Sequence, residues 1–430
     1  MKVLIVGGGG REHAIARKLR QSPKLSELYC APGNAGIAAD AVCVDIAADD
    51  IGGIAAFAEE KSMDLVVIGP ELPLAMGLTD ALAERGLRVF GPDRSCARLE
   101  ASKSFTKSFL ERHGIPTAKY MEFDDKAELL EHIGQFGFPM VLKADGLAAG
   151  KGVVMAETPA AAEAAIEDMM GRRVFGAAGD RVVVEECLVG TEASMLCFVD
   201  GSTIVPMESA QDYKRAFDGD RGPNTGGMGC YSPSLVFSDA LEDEIRERIL
   251  APTFEGFKAD GLDYRGVLFI GLMITEDGPK VIEFNNRFGD PETQAVLPRL
   301  ESDLLEIFLA VTEDRLAEQE LRWSDRRAVC VVLASGGYPG SYGKGKPISG
   351  LDSVDGDVAV YHAGTAFDGQ GGTVSAGGRV LGVTALGESH GEARARAYAN
   401  VERIRFEGAH YRRDIGLLGG FDPDGGTGGE

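Results

Sequence analysis

No two cysteines in the chain have the Cys-x-x-Cys spacing of a zinc ribbon or a dithiol redox motif. The seven present (Cys30, Cys43, Cys96, Cys187, Cys197, Cys230 and Cys330) are scattered and odd in number, and they read as buried thiols of an intracellular protein. No stretch reaches the ~18 apolar residues of a membrane span, and residues 1–10 are a short strand running into glycines rather than the apolar core of a secretory signal. A cytoplasmic protein without membrane contact is expected. Positive charge is also scarce: 44 Lys and Arg face 67 Asp and Glu, for a net charge of −23. Such a balance argues against nonspecific binding to nucleic acid or anionic lipid. It leaves small anionic ligands open, because a local site can be basic on an acidic body. There is no internal repeat.

What is present is 430 residues, 44% of them hydrophobic, enough for roughly three domains. Short apolar strands at 2–6, 27–30, 65–69 and 88–91 alternate with helical patterns, the first over 11–21. That alternation predicts a Rossmann-like, doubly wound α/β domain over 1–100. A helix is expected from 99 to 114, where Gly114 and Pro116 stop it. Strands at 140–144, 152–156 and 181–186 and a helix at 158–169 predict a small mobile lobe at about 120–190 inside an α+β region spanning 101–325. Strands at 266–274 and 280–284, joined by a turn at 276–279, belong to the larger part of that region. Strands at 328–334, 358–363 and 379–386 predict a β-rich domain over 326–418, and 419–430 reads as a disordered tail.

Five patterns carry chemistry. Gly7 to Gly10 follow the first strand, where glycines let backbone amides approach a phosphate at a helix N-terminus. A dinucleotide fingerprint would need glycine at the position of Glu12, so that reading fails. A second glycine turn, 32–36, holds Asn34 and Gly36; both turns also fit a purely structural role. Lys143 precedes a Gly/Ala loop containing Gly146, Gly150, Lys151 and Gly152, which is one residue short of a Walker A loop and lacks its Ser or Thr. It fits either a flap closing over a triphosphate or a surface hairpin. Glu185 and Glu192 bracket a strand-to-strand linker through Leu188, a weak signal for a purine nucleoside. Glu283 and Asn285 share one face of a strand and suit a hard cation that also ligates phosphates. Arg287, two residues on, offers a guanidinium for a phosphoryl group in flight, or half of a buried Glu–Arg pair. Finally, 211–229 is dense in charge and turn formers, with Asp212, Lys214, Asn224, Thr225 and Gly226. It reads as a ligand-recognising loop or a solvated one.

The order of these elements is similar to the ATP-grasp superfamily. The strings VGGGGREHA at 6–14, PGNAG at 32–36, GPELPL at 69–74, LEASKSFTK at 99–107, KADGLAAGKGV at 143–153, NTGGMG at 224–229, GLMIT at 271–275, RFGDPE at 287–292, ASGGYPG at 334–340 and GGRVLGVTA at 377–385 resemble the phosphoribosylamine–glycine ligase (glycinamide ribonucleotide synthetase) family, from Met1 to about Asp414.

The resemblance implies a preATP-grasp domain, an ATP-grasp fold and a C-terminal domain. It also implies ATP, glycine and 5-phosphoribosylamine as substrates, Mg²⁺ or Mn²⁺ as cofactor, and a monomer. It places Lys103, Lys143 and the flap (Gly146, Gly150, Lys151, Gly152) on the ATP phosphates, the backbone of Glu185 and Leu188 on adenine, and Glu192 on the ribose. Glu283 and Asn285 would hold the metal and Arg287 the transferring phosphoryl. Asp212, Lys214, Asp290 and the turn of Asn224, Thr225 and Gly226 would surround glycine and the amine, with Asp212 or Asp290 as base. Gly8, Gly9, Gly10, Asn34 and Gly36 would face the sugar phosphate. Two rival readings are a sister ATP-grasp enzyme acting by carboxylation or formyl transfer, and a noncatalytic nucleotide sensor.

Overall fold

Five of the six residues of the first strand, Lys2–Gly7 (β1), are buried. A run this apolar is satisfied only inside a sheet covered on both faces. The computed structural model, which describes residues 1–148 and 152–417, puts it there. With Glu27–Pro32 (β2), Val42–Cys43 (β3), Leu65–Ile68 (β4) and Val89–Phe90 (β5) it forms an all-parallel sheet of order β3-β2-β1-β4-β5. Alternate side chains feed opposite cores. Val3, Ile5, Leu65 and Val67 pack with Phe198, Phe269, Phe288 and Phe308, and Leu4, Val6, Val66 and Ile68 with Ile54, Leu74, Leu78 and Leu82.

The helix expected over 99–114 is two helices, Arg94–Ala101 and Lys103–Arg112. Ser102 breaks the run in an extended conformation (φ −134°, ψ 115°) and its hydroxyl accepts from the Phe105 amide. A serine that can cap a new helix competes with continuing the old one.

An antiparallel sheet follows, built from Tyr120–Phe123 (β6), Met140–Ala144 (β7), Val153–Ala156 (β8) and Val182–Glu186 (β9) in the order β6-β9-β7-β8. The helix beside it, Pro159–Ile166, is capped by Thr158 and ends three residues earlier than expected, where Glu167–Gly171 widens into a π-helical turn.

Thr191–Val199 (β10), Ile204–Pro206 (β11), Gln211–Asp212 (β12), Arg215–Phe217 (β13), Arg221–Asn224 (β14), Gly229–Ser232 (β15), Gly266–Thr275 (β16) and Gly278–Asn285 (β17) come next. Four of them form an antiparallel sheet of order β11-β10-β16-β17, while β13 and β14 make a separate ribbon. The last strands are Arg327–Ala334 (β18), Ala359–His362 (β19), Thr365–Phe367 (β20), Thr373–Ser375 (β21) and Arg379–Gly387 (β22).

Here the structure departs from a simple reading of the chain. The C-terminal sheet, of order β12-β15-β18-β22-β19, recruits two strands from before residue 326. A helix absent from the sequence reading, His390–Val401, packs on it through Ala393, Ala397 and Val401. Two alanines and one valine are too small a stripe to stand out as a periodic apolar signal. Among the described residues no helix is long and apolar enough to cross a membrane.

Candidate active site

The Ser102 break has a consequence for the site. It leaves Glu100, 4% exposed, near the end of one helix and Lys103 at the start of the next. Glu100 accepts from the Asn286 amide at 2.7 Å and pairs with Arg287 Nη2 at 2.9 Å. Asn286 itself is buried, donating to the carbonyls of Cys96 and Ala97 and accepting from the Tyr264 hydroxyl. The end of β17 is therefore pinned to the Arg94–Ala101 helix.

Glu283 and Asn285 do share a face of β17, with Phe284 between them in the core. Asn285 Nδ2 donates to Glu283 Oε1 at 3.2 Å, and Arg287 Nη2 donates to Asn285 Oδ1 at 3.2 Å. Burial alone would raise the Glu283 carboxyl, but Lys103, Lys214 and Lys143 face it and hold it down at about 2. It is a permanent anion ringed by cations. Among the described residues no cluster of three or more His, Cys, Asp and Glu could cage a metal. A carboxylate and an amide oxygen side by side still fit Mg²⁺ or Mn²⁺, because such ions complete their shells with phosphate oxygens and water.

Arg287 takes the second of its two expected readings, the acid–arginine pair. Its partner is Glu100, and its Nε lies 3.6 Å from Glu71 with no hydrogen-bond partner among the described residues. A guanidinium with a donor left over can still take a phosphoryl oxygen.

On the small lobe, Lys143 of β7 lies 2.8 Å from Glu185 on β9, and Lys107 lies 2.9 Å from the same carboxylate. Glu185 sits mid-ladder between Tyr120 and Val141, so its side chain is the part that reaches the lysines. The linker with Leu188 joins β9 to β10, where Glu192 pairs with Lys214 Nζ at 2.9 Å. Gly146 and Gly152 stand at the two ends of the β7–β8 loop; Gly150 and Lys151 lie outside the described residues, as does the tail from 419.

The far end of the cleft is assembled from three parts of the chain. Asp290 accepts from the Arg11 amide (3.3 Å) and Gln294 (2.8 Å) and faces Arg379 Nη1 at 3.2 Å. Burial works against its charge, but Arg379 and Arg11 keep its carboxyl below the usual range. Arg379, on β22, also donates to the carbonyls of Gly226 and Asp290, both at 2.6 Å, through the same nitrogen. Among the described residues its Nε and Nη2 donate to nothing.

Thr225 ties the turn back to the Lys214 carbonyl through both its amide (2.7 Å) and its hydroxyl (2.8 Å), while Asn224 is exposed at the end of β14 opposite Arg215. Gly227, at φ +111°, packs so closely that a Cβ would lie 2.4 Å from Pro291 Cδ.

Gly9 caps the helix Gly10–Leu19, its amide donating to Glu12 at 2.6 Å. A Cβ on Gly8 would lie 2.5 Å from the Gly33 carbonyl oxygen, so this glycine serves close backbone approach. Asn34 is fully engaged: it donates to the carbonyls of Gly8 and His362 and accepts from the amides of Gly36 and Ile37. It fastens the second glycine turn to the first and to β19.

Asp212 and Glu292 complete the cleft. Glu292 is buried and Asp212 half-buried beside Lys214, and neither accepts a hydrogen bond from another side chain among the described residues. Burial, and then the Asp212 charge, push Glu292 up to about 8; burial likewise raises Asp212, against the pull of Lys214.

Glu100, Lys107, Glu292 and Arg379 were not singled out from sequence. Each lies in one of the family-like strings, so a charge inside a matched string was the available signal.

Three family descriptions match the chain in tandem: the N domain of phosphoribosylglycinamide synthetase over residues 1–100, its ATP-grasp (A) domain over 101–293 and its C domain over 328–418. A phosphoribosylamine–glycine ligase of Allochromatium vinosum is 52% identical over 420 residues, 97% of this chain and 98% of that protein. One from Caldanaerobacter subterraneus is 49% identical over 415 residues, covering 96% and 99%. The crystal structure of the Thermotoga maritima phosphoribosylamine–glycine ligase superposes with a TM-score of 0.83 at 35% identity, covering 96% of this chain and all of that one. The biotin carboxylase domain of a Hydrogenobacter thermophilus 2-oxoglutarate carboxylase shares the fold at a TM-score of 0.72 and 17% identity, over 95% and 91% of the two chains.

Proposed function

The chain belongs to the phosphoribosylglycinamide synthetase family and joins glycine to 5-phosphoribosylamine with ATP, a step of purine biosynthesis; we propose that it does so through a glycyl phosphate formed beside Glu283 and Arg287. The observation that carries the proposal is the half-buried, ionised Glu283 next to Asn285, faced by Lys103, Lys143 and Lys214 and followed by Arg287.

A carboxylate is a poor electrophile, since its charge repels nucleophiles and its oxygen leaves badly. Phosphorylation cures both faults. The bond from the γ-phosphorus to its bridging oxygen breaks, one to a glycine carboxylate oxygen forms, and ADP leaves. Such transfer is chiefly positioning and charge neutralisation. Lys103, Lys143 and the flap with Gly146, Gly150, Lys151 and Gly152 hold the phosphates. The Glu185–Leu188 segment takes adenine and Glu192 the ribose, on a lobe of about 120–190 that moves within the region 101–325. Glu283 and Asn285 hold Mg²⁺ or Mn²⁺, which when bound would neutralise charge on the phosphates. Arg287 faces the group in transit.

The phosphoribosylamine nitrogen then attacks the glycyl carbon, the carbon–oxygen bond to phosphate breaks, and one proton leaves the nitrogen. Of the two candidate bases, Asp212 suits the task better, because burial raises its carboxyl, whereas Arg379 and Arg11 hold Asp290 low. Asp290, Lys214 and the Asn224–Gly227 turn frame glycine and the amine. The sugar phosphate lies toward Gly8, Gly9, Gly10, Asn34 and Gly36, with Arg379 offering its unused donors. The cleft draws on the N-terminal region (1–100) and the C-terminal one (326–418) of a single chain, which supports a cytoplasmic monomer as the working unit.

The test is phosphate release from ATP and Mg²⁺, with glycine and freshly made phosphoribosylamine supplied separately and together. Stoichiometric release requiring both is expected. Release that proceeds with bicarbonate or formate in place of glycine would assign the cleft to the carboxylating or formylating branch.

A further inference from the structure

Behind the phosphate-facing cations lies a buried charge cluster whose innermost member has no part in the chemistry above. Lys107, on the helix Lys103–Arg112, and Lys143, on β7, both reach the carboxylate of Glu185, and all three side chains are 3–5% exposed. Lys107 is also tethered elsewhere: its Nζ donates to Thr117 Oγ1 at 2.8 Å and to the Ala118 carbonyl at 3.4 Å, and Thr117 Oγ1 donates to the Val281 carbonyl on β17 at 2.7 Å. Among the described residues Lys143 donates only to the Ile282 carbonyl, at 3.2 Å, besides pairing with Glu185. Its Nζ is close to Glu185 Oε1 but off the hydrogen-bonding direction, and among the described residues that oxygen has no donor. One carboxylate thus serves two ammonium groups, Lys107 at 2.9 Å through Oε2 and Lys143 at 2.8 Å through Oε1. Burial pushes Lys107 down to about 8, Glu185 opposing and Lys143 adding to the fall.

A dry carboxylate closes on whatever cation is in reach, because an unpaired buried charge is costly. With Lys107 absent, the only ammonium left to Glu185 among the described residues is that of Lys143. We propose that Lys107 is a positioning residue for the phosphoryl donor: by sharing Glu185 from behind, it keeps that carboxylate from pairing with Lys143 alone and leaves the Lys143 ammonium available to the outer phosphates of a nucleoside triphosphate. The inference rests on the assignment of Lys143 to those phosphates. It requires Lys107 to act on the nucleotide only through Glu185, and on the phosphates rather than on adenine.

The experiment compares ATP and AMP affinities, with Mg²⁺ and without glycine, by calorimetry on the full chain. Lys107→Met should weaken ATP ~10-fold or more and AMP by less than ~2-fold, while Lys107→Arg stays within ~3-fold of the parent for both. In the Glu185→Gln background, where no carboxylate can close on Lys143, adding Lys107→Met should leave ATP affinity unchanged within ~2-fold. That pair remains decisive if the single Lys107→Met chain does not melt cooperatively. Equal losses for ATP and AMP, no loss for either, or a further ~5-fold loss on adding Lys107→Met to Glu185→Gln would overturn the proposal. Lys143→Met is the control on the premise. If it leaves the preference for ATP over AMP intact, the phosphate assignment of Lys143 falls and the proposal with it; if the preference collapses while Lys107→Met stays silent, only the proposal falls.

Discussion

At the end of the cleft proposed for the nucleotide, Lys103, Lys143, Glu185, Glu283 and Asn285 come from one helix and three strands in chain order. At the acceptor end, Gly9, Asp290 and Arg379 are brought together from three regions nearly 370 residues apart in all, through contacts such as Arg11 N to Asp290 and Arg379 to Gly226 O. The first end is held by ion pairs between side chains. The second is held largely by backbone carbonyls and amides, which any residue could supply. Charge at the nucleotide end should therefore control catalysis, and fit at the acceptor end should control recognition.

The largest effect tests the nucleotide end. Glu283→Gln removes the anion that three lysines face, and turnover should fall roughly 10³-fold or more with a native circular dichroism spectrum at 25 °C. Phosphate release measures it, and an active variant would take Glu283 out of the site.

Arg379→Met probes the separation of the two ends. KM for phosphoribosylamine should rise about 10- to 100-fold while KM for ATP moves less than about twofold. If both constants rise together, the ends are one unit and the contrast fails.

A smaller effect concerns Glu292. Its carboxyl is raised to about 8 in the folded chain, so the native state holds a proton that the unfolded chain releases near its ordinary pKa of about 4.3. The stabilisation from that proton is complete below about pH 4 and is lost as pH climbs through 8. Glu292→Gln should therefore leave the melting temperature nearly unchanged at pH 5 and raise it by roughly 2–4 °C relative to the parent at pH 8.5. An equal shift at both pH values would show that the side chain is not protonated at neutrality.

The smallest effect is local. Ser102→Ala removes the cap of the Lys103–Arg112 helix and should cost about 1 kcal/mol in denaturant unfolding, with KM for ATP rising modestly as Lys103 loosens. No change in either would mean that the helix start is set by packing alone.

Much of the nucleotide end was legible because its logic is local. Period-two alternation put Glu283 and Asn285 on one face, and the structure joins them by a hydrogen bond. The all-parallel N-terminal sheet was legible for a similar reason, since a strand like Lys2–Gly7 has no polar face to show to water. Ser102 was misread because a good capping residue inside a helical pattern does not say whether it will cap. The partners of Glu100 and Asn286 were not legible from local pattern: Arg287 and the carbonyls of Cys96 and Ala97 lie some 190 residues away from them.

The sequence by itself determined the alternation of strands and helices, the covered parallel sheet and the placing of Glu283 and Asn285 on one face of β17, because each follows from neighbours within a few positions. The tertiary structure alone decided which acid holds Arg287, which lysines hold Glu185, and that strands from before residue 326 complete the C-terminal sheet. Those outcomes depend on which charges and strand edges meet once the chain is compact, and a buried ion pair or a sheet edge selects its partner by distance in space, which spacing along the chain does not encode.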